Sequence, residues 1–159
     1  MSGLFPYILF LHVFGAILAF GPTYAYSIIG ALGGKEPQHG NFALRVTARI
    51  GTALVYPLAI LQGVTGVALI IVGDISIVDR AWLLIGIVLY VIALAYALTV
   101  QRNALHHVIE LTSGPPPADA PPGPPPGFME TVKKIQRGGM FLGLLVAIIV
   151  FLMVVKPTF

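Results

Sequence analysis

Three polar side chains inside otherwise apolar sequence are the residues best placed to do chemistry. His12 stands in Leu4–Leu32, a run without Asp, Glu, Lys or Arg. Gln62 stands in Ile50–Gly73 and Tyr90 in Ala81–Gln101, two further charge-free runs. An ionisable group in hydrocarbon is expensive, so His12 is a functional candidate by default. A neutral imidazole can offer a ring nitrogen to a heme iron, which also needs an apolar slot and cations for its propionates. At 1.5 Å of rise per residue, His12 lies ~12 Å from the outer end of its helix, Gln62 ~16 Å and Tyr90 ~15 Å from the same side. Three polar groups on three helices therefore share a depth. Arg80 and Lys156 lie on the side that would serve propionates. The candidate cofactor-binding set is His12, Gln62, Tyr90 and Arg80, with His12 as the metal ligand of a b-type heme. Met153, near the outer end, is a distal ligand only by stretching. The competing reading, which is favoured, is that His12, Gln62 and Tyr90 hydrogen-bond one another and hold the helices together. Such bonds average ~0.6 kcal/mol and reach ~1–2 kcal/mol.

The remaining candidates are weaker. His106 and His107 are adjacent, so on a helix they point ~100° apart and do not chelate as an i, i+4 pair would. They read as solvated or headgroup-facing, and His39 as a solvated turn residue. Arg45 and Arg49 share one helix face. They suit an anionic lipid headgroup or a cofactor carboxylate, but ordinary interfacial anchoring is preferred. The chain contains no phosphate-binding loop, dinucleotide fingerprint, nucleophile elbow or metalloprotease motif. Its spans lack the charged pairs of a proton pump, which disfavours a channel or transporter. It has no cysteine, which removes disulfides, thiolate catalysis and iron–sulfur clusters from this chain.

The elements that must position these residues are membrane helices. The 159 residues are 57% hydrophobic and 9% charged, against about 25% charged in a soluble domain. About 20 apolar residues cross a ~30 Å hydrocarbon core. Four runs qualify, with helices expected at about 4–32, 42–73, 81–108 and 136–155. The fold class is all-α, a polytopic membrane four-helix bundle forming one domain over 1–159. The first run lacks the basic n-region of a signal peptide and exceeds its short apolar region, so it is expected to stay as a helix. Gly21-Pro22 and Pro57 are expected to kink their helices. Gly63, Gly66 and Gly86 lie on small-residue faces that let helices approach closely or leave room for a flat cofactor. The short connection DISIVDR, 74–80, makes the second and third helices antiparallel neighbours.

Orientation follows from the loops. Lys35, Arg45, Arg49, Arg102, Lys133, Lys134 and Arg137 fall on one side; Arg80 and Lys156 fall on the other. The positive-inside rule then places both termini outside and the proline-rich segment 113–127 in the cytoplasm. That segment reads as an extended polyproline-II spacer, or as a ligand for a cytoplasmic partner with an aromatic groove. The net charge of +3 sits in the loops and fits orientation rather than nucleic acid.

The patterns FLHVFGAILAFGPTYAY, YPLAILQGVTGVALI and the tail LMVVKP resemble a bacterial family of predicted integral membrane proteins catalogued as a domain of unknown function. The resemblance covers nearly the whole chain except the proline segment, and implies no activity. It places the chain in a bacterial inner (plasma) membrane. More distantly the layout is similar to heme-binding membrane protoporphyrinogen oxidases and copper-resistance membrane proteins. That likeness implies a role for a first-helix histidine, here His12, and matches a proline and glycine of the second helix to Pro57 and Gly66. The basic residue those oxidases carry in their third helix has no counterpart in WLLIGIVLY. The favoured function is a non-catalytic accessory subunit with no cofactor of its own, packed by lipid and by other membrane subunits, for instance of a respiratory or photosynthetic complex. The alternative is a b-type heme protein in electron transfer or heme metabolism.

Overall fold

The computed structural model describes residues 3–114 and 123–158. Most of the proline-rich segment therefore lies outside the described residues. Among them the chain is helical throughout, without strands. Four helical rods are long and apolar enough to cross a membrane: Phe5–Lys35, Pro37–Val72, Ala81–Leu111 and Phe128–Val155. Their 31, 36, 31 and 28 residues exceed the ~20 that hydrocarbon requires, so each rod extends into the headgroup layer.

The first rod is α1 (Phe5–Lys35), which opens with Pro6 in its first turn, where no N–H is needed. It runs unbroken through Pro22. The second rod begins with a single 3₁₀ turn (Pro37–His39), continues as α2 (Gly40–Ile50), passes through a π-turn (Gly51–Val55) and goes on as α3 (Tyr56–Val72). The π-turn is the local answer to Pro57. A proline has no N–H for the carbonyl four residues back, and its ring clashes with it. Here the Tyr56 N–H instead reaches back five residues to the Gly51 carbonyl, which widens the helix just ahead of the proline. The third rod repeats the device: α4 (Ala81–Tyr96), a π-turn (Ala97–Gln101), then α5 (Arg102–Leu111). The extra residue aims Gln101 at the fourth rod, where its Nε2 donates to the Ile135 carbonyl at 3.0 Å.

The fourth rod, α6 (Phe128–Val155), starts eight residues before the expected 136. Its polar opening turns are packed against α5 and the Gln101 turn. It stops at Lys156, whose left-handed φ of 50° breaks the helix ahead of Pro157. That turn brings the Lys156 ammonium over the Trp82 ring, 5.7 Å from its centroid, within cation–π range.

The closest helix pairs are α1 with α3 and α4 with α6. The second and third rods, joined by the short connection 73–80, meet through α2 against α5 and through Tyr90 rather than along their length. Small residues decide this: Gly86 lets Met153 settle on α4, since a Cβ there would lie 2.5 Å from Met153 Cε. At the end carrying α2 and α5, Ala104, Leu105 and Val108 are buried, Val108 completely. Asn41 closes this end by donating to Thr112 Oγ1 at 2.8 Å and to the Ile109 carbonyl at 3.3 Å. It thereby joins the Thr112 N–H and the Ser113 hydroxyl at the Ile109 carbonyl and ties the start of α2 to the last turn of α5.

Candidate functional site

His12 is half-buried on the inner face of α1 and meets two side chains of α3. Its Nδ1 is 2.8 Å from Thr65 Oγ1 and its Nε2 is 3.0 Å from Gln62 Nε2. The proton positions follow from bookkeeping. The Thr65 hydroxyl lies 3.1 Å from both the Leu61 and Gln62 carbonyls, and these take its hydrogen. Thr65 Oγ1 therefore accepts from Nδ1–H, and the bare Nε2 accepts from the Gln62 amide. This arrangement leaves one buried group, Gln62 Oε1, without a partner. Turning the amide over would leave an NH₂ unpaired instead, two donors in place of one acceptor, so the first arrangement is preferred.

Local sequence makes the site. His12 and Gly15 are three apart, and Gln62, Thr65 and Gly66 lie within four residues, so each group forms one helix face. Gly66 makes room for the imidazole: a Cβ there would stand 3.3 Å from His12 Cε1. Gly15 makes room for Gln62, with a Cβ at 3.2 Å from Oε1. Gln62 and Thr65 are each only 9% exposed. The pair of faces thus closes around the hydrogen bonds and keeps lipid out of them.

The expected residues separate into two places. His12 and Gln62 come together. Tyr90 does not join them. It donates to the Ala59 carbonyl at 2.8 Å and lies on Gly63, where a Cβ would be 2.6 Å from its oxygen. Residues 62 and 63 point ~100° apart, so Tyr90 meets α3 on a different side from His12. Arg80 is exposed at the start of α4 and forms no ion pair among the described residues. Met153 packs on Gly86 and Lys156 on Trp82. Among the described residues no three His, Cys, Asp or Glu side chains gather as a metal site. Thr65 is the member that the sequence reading passed over. Its signal was the i, i+3 spacing from Gln62 at the depth of His12.

Residues 6–157 match the family model described as predicted integral membrane protein (DUF2269). The chain belongs to that family. The match spans all four rods and includes His12, Gln62, Thr65 and Tyr90. Neither a curated protein nor a solved structure matches the chain. It is a multi-pass integral membrane protein, and its apolar helix surfaces contact lipid.

The three-residue arrangement can be tested by a double-mutant cycle. His12→Ala and Thr65→Val, measured by reversible unfolding in detergent, should show a coupling of about 0.5–2 kcal/mol. A coupling of zero would mean that the Nδ1–Thr65 bond does not form.

Proposed function

We propose that this protein is a non-catalytic membrane subunit that packs against other membrane proteins, and that the His12 cluster is a pin holding its first two rods together. The observation that carries the reading is on α6. Gly139 and Gly143, four residues apart, have no heavy atom within 4 Å of where a Cβ would stand, and Ala147 continues the same row, exposed. Small residues at i, i+4, i+8 let a second helix approach closely, the usual geometry of helix association in lipid. The buried glycines Gly15, Gly86 and Gly138 already serve contacts inside the bundle. The row on α6 faces away from it and is free for another chain. Gly139→Leu with Gly143→Leu should leave the fold intact and abolish co-migration with partners on native gels after mild solubilisation. Retained co-migration would count against a partner surface here.

The pin reading is supported over the heme reading by the ring nitrogens. Both lie within hydrogen-bond distance of α3 side chains, so iron ligation requires giving up Gln62 or Thr65. Gly66 is filled by the imidazole itself rather than opening onto a slot. Protein purified from heme-replete cells is expected to lack a Soret band. A Soret band that His12→Ala removes would reinstate the heme ligand.

The orientation we propose has both termini outside. Seven of the nine Lys and Arg residues lie at the end formed by α2, α5 and the start of α6, and such residues accumulate on the cytoplasmic side. A reporter fused after Phe159 should read as non-cytoplasmic; a cytoplasmic signal would invert the assignment.

A further inference from the structure

The basic end carries a cleft that the pin and the partner surface leave unused. It is a shallow, open groove of about 400 Å³ between the third rod and the start of α6, within the range of small-ligand sites, ~300–1,000 Å³. Thr99, Asn103 and His107 line one wall at successive i, i+4 positions, with Val100 and Ala104 beneath; Thr131 and Lys134 line the other. The two threonines spend their hydroxyl hydrogens on their own helices, at the Ala95 and Gly127 carbonyls. The remaining polar groups can each donate: the Lys134 ammonium, the NH₂ of the Asn103 amide and one nitrogen of the His107 ring. All three are exposed, and none has a hydrogen-bond or ion-pair partner among the described residues. No carboxylate lines the cleft.

Its depth is equally specific. Counting ~20 residues from Ala81 puts the hydrocarbon boundary near Val100. Counting ~20 back from Val155 puts it near Gln136. Val100 therefore lies at the boundary, while Asn103, Ala104, His107 and Lys134 stand beyond it, toward the level of lipid phosphates.

We propose that this cleft binds the phosphate of an anionic phospholipid headgroup, with Lys134 as the charge partner and Asn103 and His107 as donors to the phosphate oxygens. The apolar floor takes the glycerol end of the acyl chains. Selectivity for anionic over zwitterionic lipid follows from charge: Lys134 carries the formal charge of the walls, and no carboxylate lines the cleft to pair with a choline or ethanolamine ammonium. Basic pockets between membrane helices recognise anionic headgroups by this chemistry.

The test uses the full chain in detergent and native mass spectrometry, with phosphatidylglycerol, phosphatidylcholine and inorganic phosphate as probes. Phosphatidylglycerol adducts should exceed phosphatidylcholine adducts several-fold at equal lipid. Lys134→Gln with His107→Gln should bring the ratio close to one. Lys134→Arg should preserve it, as should Arg45→Gln with Arg49→Gln, which removes two formal positive charges, one more than the cleft variant, from the same membrane face outside the cleft. An unchanged ratio in the cleft variant overturns the proposal, as does equal loss in the Arg45 and Arg49 variant, which would mean non-specific surface charge. Displacement of phosphatidylglycerol by millimolar inorganic phosphate would assign the site to free phosphate instead of lipid.

Discussion

The bundle depends on one constraint: a histidine placed among lipid-facing apolar residues must have both ring nitrogens satisfied by protein. Water is not there to do it, and an unpaired polar group in hydrocarbon costs several kcal/mol. His12 meets this constraint by taking both partners from one helix, Thr65 on Nδ1 and Gln62 on Nε2. The bonds run in different directions from a planar ring, so they fix how far α1 has slid along α3 as well as how far each has turned. A single hydrogen bond would fix neither alone. Apolar contacts between membrane helices are poor at setting register, because lipid tails compete for the same surfaces.

Glycines make the constraint workable. Gly66 and Gly15 sit opposite His12 and Gln62 respectively, each giving up a Cβ where a polar side chain crosses from the other helix. The same exchange recurs at Gly63 with Tyr90 and at Gly86 with Met153. Each crossing pairs one large residue with one missing side chain. This is why the α1–α3 and α4–α6 seams are tight, although so much of each helix surface is apolar and exposed.

The four spans and the shared depth of His12 and Gln62 were legible in the sequence, because length, charge and rise per residue determine both. Azimuth was not. Depth alone grouped Tyr90 with His12, yet Gln62 and Gly63 look out on different neighbours, and only packing reveals which neighbour stands where. Thr65 was hidden by its type: a threonine within a helix commonly bonds its own backbone, and this one does. What the sequence conceals is that its oxygen keeps a lone pair for a partner on another helix. The early start of α6 was masked in the same way. Lys133, Lys134 and Arg137 read as loop, yet Gly138 between them and the span is buried, and Gln101 holds the backbone at Ile135.

The two π-turns tie these observations together. One precedes Pro57 and the other precedes Arg102, and both lie where a hydrocarbon span passes into a basic extension. A span needs an apolar surface nearly all round, whereas an extension in the headgroup layer needs one buried face and one charged face. A continuous α-helix carries a given azimuth from one region to the next without choice. An inserted residue resets it. In the third rod the reset leaves Ala104, Leu105 and Val108 buried while Arg102, Asn103, His106 and His107 face outward. The basic end is therefore a small helical head with its own core, built by the same rods that cross the membrane but rotated out of register with them. That rotation turns Asn103 and His107 toward the cleft beside Lys134, and lets a chain with little polar sequence present its charge at one level of the bilayer.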